Sequence, residues 1–123
     1  MPFKVGALGK VKVTGKAEAW LGRLGQWRKD DFPGRDRPSL ELYLGYIVSY
    51  ATGMVKRQWQ AAGRAGDVRE LAVIETAWHL GSPAGKRLAM YDALDYLAEH
   101  MSWDEALPVL LKGRDFANDE LRS

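Results

Sequence analysis

One segment, from Ser39 to about Ala62, carries apolar residues around most of its circumference and so limits the folds open to this chain. Two apolar stripes run along it at helical spacing. The first comprises Leu40, Leu44, Ile47, Ala51 and Val55, and the second Tyr43, Tyr46, Tyr50 and Met54. A helix that is apolar nearly all round is buried among other elements. The segment therefore predicts a central buried helix with Ser39 as its N-cap.

Periodic apolar residues predict four further helices. Their bounds are 16–28, 67–80, 83–100 and 103–113. Thr14 is placed to cap the first of them. Asp67 and Glu70 form a capping box for the second, and Gly81 is expected to end it.

Strong start signals precede the last two helices. Ser82-Pro83 combines a capping residue with proline at the first helical position. The run from Ser102 to Glu105 is a capping box. Pro108 lies six residues past that cap, so it should kink the last helix or make it restart.

The segment Phe3–Thr14 has a different pattern, because its apolar and charged residues alternate. Val11 and Val13 would face one side and Lys10 and Lys12 the other. This alternation predicts a short β-hairpin with one apolar and one basic face. A lone hairpin is marginal in water, so it must dock on the rest of the molecule.

Together these elements predict a mainly α fold, a bundle of about five helices with a small N-terminal β-hairpin. The whole chain, 1–123, forms one domain, with the hairpin over 1–15, the bundle over 16–113 and a fraying polar tail over 114–123. Gly113 ends the last helix. Short connections favour antiparallel neighbours. The expected core includes Leu44, Ile47, Ala51, Ile74, Trp78, Leu94 and Leu97.

Composition excludes several classes of function. The 123 residues include no Cys, which removes disulfides, thiolate metal sites and a Cys nucleophile. Hydrophobic residues at 46% and charged residues at 28% are typical of a soluble globular protein. The N-terminus has no signal-peptide pattern, and no apolar stretch is long enough to span a membrane. We expect a cytoplasmic protein without a membrane contact.

Charge is divided unevenly along the chain. Residues 1–70 hold 13 Lys and Arg against 7 Asp and Glu, whereas residues 71–123 hold 5 against 9. A basic half could contact the phosphates of nucleic acid, with Trp20, Trp27, Phe32 or Trp59 stacking on exposed bases. The candidate binding residues are Lys10, Lys12, Lys16, Arg23, Arg28, Lys29, Arg35, Arg37, Lys56, Arg57 and Arg64.

Patterns for catalysis are weak. Glu75 and His79 share one helix face, and the acidic residues from Asp92 to Glu99 share a face of the next helix, so a carboxylate–histidine metal site would need these faces to meet. The run from Gly81 to Arg87 lacks the spacing and the Ser or Thr of a phosphate-binding loop. The serines of the chain are better explained as helix caps. We therefore expect neither a cofactor nor a catalytic residue.

These observations favour a non-enzymatic binding or assembly subunit whose basic N-terminal half contacts nucleic acid or an acidic protein. Opposite charge on the two halves also permits self-association. Small helical subunits of nucleoprotein complexes and phage assembly factors share this character. One alternative is an immunity-type protein that inhibits a toxin through its acidic C-terminal half. Another is a metal-dependent enzyme using Glu75, His79 and the Asp92–Glu99 helix.

Overall fold

The computed structural model describes residues 13–122, and this part of the chain is a bundle of five α-helices without a strand. The helices are α1 (Gly15–Asp31), α2 (Leu40–Ala61), α3 (Ala65–Leu80), α4 (Pro83–His100) and α5 (Trp103–Arg122). The mainly α prediction is confirmed. Most of the hairpin predicted over 1–15 falls on residues 1–12, outside the described residues. Of the rest, Val13 and Thr14 form no strand and Gly15 begins α1.

Helix α2 is the central helix, as its sequence predicts. It packs against each of the other four helices, most extensively against α5. Leu44, Ile47, Val48 and Ala51 are fully buried. The predicted N-cap is also confirmed, because Ser39 Oγ accepts a hydrogen bond of 3.1 Å from the amide of Leu42.

Most helix starts follow the predicted capping residues. The side chains of Thr14 and Ser82 accept hydrogen bonds from backbone amides three residues on. At α5 the amide of Glu105 donates to Ser102 Oγ at 3.1 Å, and Glu105 Oε1 accepts from the Ser102 amide at 2.9 Å. This reciprocal pair is the predicted capping box.

The predicted Asp67 cap is wrong. Helix α3 begins two residues earlier, with Arg64 at the N-cap position and no side-chain cap. Asp67 instead accepts hydrogen bonds of 2.8 Å from Arg64 Nε and from the hydroxyl of Tyr96 on α4. The Asp67 carboxylate therefore binds Tyr96, 29 residues further along the chain, and does not cap the start of its own helix as the local sequence pattern predicted.

The polar tail predicted over 114–123 is also wrong for its described residues, because α5 continues through Gly113 to Arg122 without a restart at Pro108. Gly113 is a close-contact residue rather than a helix end. A Cβ built on it would lie 2.8 Å from the carbonyl oxygen of Ile47 and 3.2 Å from its Cα. The glycine lets the backbones of α2 and α5 approach each other.

Asp31, at the end of α1, anchors this C-terminal extension. Its carboxylate receives Arg114 in a two-pronged contact of 2.7 and 2.8 Å, and Asn118 at 3.0 Å. The hydroxyl of Tyr43 on α2 donates to it at 3.0 Å. Arg122 donates to the backbone carbonyl of Asp31 at 2.6 Å. The hydrogen bond from Arg114 is the main cause that lowers the pKa of Asp31 to about 2, against desolvation.

The core prediction is correct for α2 and α4 but wrong for α3. Leu94 and Leu97 are buried, whereas Ile74 and Trp78 are only partly buried. Leu71 is the single fully buried residue of α3 within the described chain. Helix α3 lies at the edge of the bundle, against α2 and α4. No helix among residues 13–122 has the length and apolar character needed to cross a bilayer.

Gly113→Ala should destabilise the protein by about 1–3 kcal/mol, because the new Cβ would lie too close to the backbone of Ile47. The control is Gly22→Ala in α1, where a Cβ meets nothing within 4 Å. That change should stabilise by up to about 1 kcal/mol, since alanine is the better helix former. Urea unfolding of both variants measures the difference. Equal effects would contradict the close contact.

Asp31→Asn should destabilise the fold by about 2–4 kcal/mol at neutral pH, because Arg114 loses its charged partner. The folded pKa is lowered, so this stability is present above the ordinary pKa of 3.8 and is lost as the pH falls through about 2. Urea unfolding at a series of pH values measures this effect. The difference in free energy of unfolding between wild type and Asp31→Asn should shrink as the pH falls from 3.8 to about 2. Asp36→Asn, at an exposed loop position, is the control and should leave stability unchanged. A difference in unfolding free energy that does not change with pH would refute the ionic origin of this stabilisation.

Candidate binding surfaces on α3 and its neighbours

The basic residues proposed to bind nucleic acid do not share one role. Arg57 donates to the Met54 sulfur at 3.3 Å, and four others bind oxygen atoms within the protein. Arg28 and Arg37 donate to backbone carbonyls at 2.6 and 2.9 Å, and Lys56 pairs with Glu75. Arg64 pairs with Asp67 and lies over the ring of Trp59, 4.1 Å from its centroid.

The described candidates other than these four are at the surface. Lys16, Arg23, Lys29, Arg35 and Arg57 are exposed, whereas Lys10 and Lys12 lie outside the described residues. Lys16 and Arg23 border a cavity of about 480 Å³ between α1 and the α4–α5 junction. Glu99, His100 and Trp103 are among its other lining residues, and Arg23 lies over the Trp103 ring.

The aromatic residues proposed to stack on bases are largely occupied. Trp20 and Trp59 are buried. Trp27 and Phe32 are partly buried, with the guanidinium groups of Arg114 and Arg122 above their rings. Open stacking platforms are therefore not formed by these four side chains.

The two halves of the hypothesised metal site lie on different sides of α3. Glu75 and His79 line a groove between α2 and α3, and Glu75 is paired with Lys56. Asp92, Asp95 and Glu99 line a separate cavity between α3 and α4. Between residues 13 and 122, no group of three or more His, Asp or Glu is placed to hold a metal ion.

The α2–α3 groove encloses about 400 Å³. Its walls include Tyr46 and Trp78, and Gly45 leaves one side open. Thr52 contributes to the lining, although it is fully buried, and its hydroxyl has no hydrogen-bond partner among the described residues. The groove therefore combines aromatic surface with polar groups in a volume typical of small-ligand sites.

The outward side of α3 carries apolar residues that nothing in the described chain covers. Val73 is 62% exposed and Leu80 is 81% exposed. With Ala77 they form a stripe opposite the inward residues Leu71 and Trp78, as their spacing requires. This stripe was visible in the sequence as a second apolar face of the helix, but periodicity did not reveal which face would be buried.

The neighbouring helix α4 also presents an exposed stripe. Leu88, Asp92, Asp95 and Glu99 share one helix face by their spacing. Helices α3 and α4 are antiparallel, and the Asp67–Tyr96 contact sets their register. The two stripes together form the α3–α4 face, defined by Val73, Leu80, Leu88, Asp92, Asp95 and Glu99. Its apolar end lies near the α3–α4 turn, and its acidic end lies toward the C-terminus of α4.

At the acidic end, burial and the neighbouring carboxylate both disfavour the charged form of Asp92. Although Asp92 reaches solvent, desolvation raises its pKa above the ordinary value, and the charge of Asp95 raises it further. Asp95 also accepts a hydrogen bond of 3.0 Å from the amide of Thr14. The carboxylates are thus held close together on one surface.

No protein-family model, curated protein or solved structure matches this chain. Function is therefore inferred from the geometry of the described residues.

Asp95→Asn should lower the pKa of Asp92, but not to its ordinary value, because desolvation persists. Side-chain carboxyl NMR across a pH titration measures this change. Because the folded pKa of Asp92 is raised, its favourable share of stability is present below the ordinary pKa and is lost as the pH rises through the folded pKa. Glu99→Gln is the control and should change the Asp92 pKa less. An unchanged pKa in Asp95→Asn would contradict the coupling.

Proposed function

We propose that this protein is a non-enzymatic binding or assembly subunit that docks a protein partner on its α3–α4 face. The observation that carries this proposal is the exposure of Val73, Leu80 and Leu88 on adjacent antiparallel helices. Large apolar side chains that lie together at a surface are typical of protein contacts. We also retain the cytoplasmic location as part of the proposal, based on the cysteine-free sequence.

Charge complementarity defines the partner further. By helical spacing, Asp92, Asp95 and Glu99 lie on the same side of α4 as Leu88 and extend it toward the C-terminus of the helix. A partner segment with apolar anchors at one end and Lys or Arg at the other would match both parts. Such charges contribute specificity and association rate more than affinity. A toxin inhibitor acting through the acidic C-terminal half would use the same face against a basic site.

The use of the basic half for nucleic acid is the second candidate. The cavity beside Lys16 and Arg23 supports it, because two exposed cations border the same space, although Glu99 lines that space as well. The internal contacts of Arg28, Arg37, Lys56 and Arg64 favour the first candidate, since those four side chains already have partners.

Leu80→Lys and Val73→Lys test the protein-binding proposal. Both positions are exposed, so stability should change by less than about 0.5 kcal/mol. Cross-linking in cells of the source organism should show a partner that contacts α3 and α4 in the wild type and is lost from both variants. Asp92→Lys should weaken the same contact. The control is Leu111→Lys on α5, beside α1, where the leucine is 41% exposed and the partner should be retained.

A partner retained by the α3 variants, or lost equally from Leu111→Lys, would refute docking on this face. A salt titration with single-stranded and duplex oligonucleotides distinguishes the second candidate. Phosphate binding should weaken steeply with salt and with the double change of Lys16 and Arg23 to Glu. Binding of that kind, with no protein partner on α3–α4, would make the nucleic-acid function the better account.

A further inference from the structure

The groove between α2 and α3 is shaped more like a small-molecule site than like a protein-docking surface. Its volume of about 400 Å³ lies in the range of ligand pockets. Gly45 forms part of the α2 wall, and a Cβ built there meets nothing within 4 Å. Glycine inside a helix lowers helix stability. Here the missing side chain leaves the groove open.

The groove is lined by aromatic rings and by acceptor groups. Tyr46 and Trp78 supply the rings, and the ionisable lining groups are Glu41, Glu75 and His79. Among the described residues, no Lys or Arg lines it. The residue types favour a ligand that is apolar over most of its surface and donates hydrogen bonds at one end.

The two carboxylates are held by cations from outside the groove. Lys56 pairs with Glu75, and Arg87 Nε lies 3.8 Å from Glu41 Oε2. A carboxylate has about four acceptor positions, so one cation does not fill it. Glu41 also accepts a hydrogen bond of 3.4 Å from the hydroxyl of Tyr91. The contact with Lys56 holds the Glu75 carboxylate in place and leaves it acceptor positions for a ligand.

We infer that this groove binds a small organic amine with an apolar or aromatic body. The ammonium group donates to Glu75, and the aromatic faces of Trp78 and Tyr46 attract the cation. The apolar body lies between the two rings. This site is separate from the α3–α4 face and does not depend on the protein-binding proposal.

The test compares three probes of similar size, namely phenethylamine, 2-phenylethanol and 3-phenylpropionate, on the isotope-labelled full chain. Phenethylamine should perturb the Gly45 amide and the Trp78 indole in NMR spectra. It should bind about tenfold more tightly than the alcohol, because it makes a charge-assisted hydrogen bond. The carboxylate should bind most weakly. Absence of amine binding, equal affinity for amine and alcohol, or preference for the carboxylate would overturn the inference.

Two leucine substitutions in α2 localise the binding. Gly45→Leu fills the groove and should abolish binding, whereas Gly53→Leu, at an equally open position that does not line the groove, should leave it unchanged. Glu75→Gln should weaken the binding of phenethylamine but not that of 2-phenylethanol. It serves as the second variant if Gly45→Leu fails to fold. Persistent binding in a folded Gly45→Leu, or an unaltered amine preference in Glu75→Gln, would also overturn the inference.

Discussion

The carboxylate of Asp31 is the interaction on which the arrangement of α1, α2 and α5 depends. A negative charge at the C-terminal end of a helix opposes the helix dipole, so it needs cations or donors nearby. Arg114, Asn118 and Tyr43 supply them from two other helices. Arg122 extends the contact to the backbone carbonyl. These bonds explain why the last nine described residues, 114–122, are helical and packed, although their composition is that of a polar tail.

Close packing and exposed apolar surface lie on different sides of α2. On one side, Gly113 brings α5 against the backbone of Ile47, and Asp31 joins α1 to the same assembly. On the other side, α3 packs with few buried residues and keeps an apolar stripe in solvent. Both proposed binding regions adjoin α3, since the helix that contributes least to the core has side chains available for other molecules.

Local signals in the sequence predicted the central helix and most helix starts, because caps and periodicity act within a few residues. They did not predict the roles of Asp67, Gly113 or Asp31. Each of these depends on a partner far along the chain, such as Tyr96 for Asp67. Periodicity also predicted Trp78 to be in the core. The apolar spacing of a helix shows which residues share a face, but not how many other helices pack against that face. Gly45 of α2 and Trp78 of α3 line the same groove, which also forms only when these helices pack together.

The pairing of α2 with α5 has a consequence during synthesis of the protein. Ile47 and Gly113 touch although more than half of the chain length separates them. When the ribosome has released only the first half of the chain, the apolar surface of α2 has no α5 to cover it. Non-local contacts of this kind slow folding, and transiently exposed apolar surface promotes aggregation. A nascent chain of this protein should therefore be a client for chaperones until α5 has emerged.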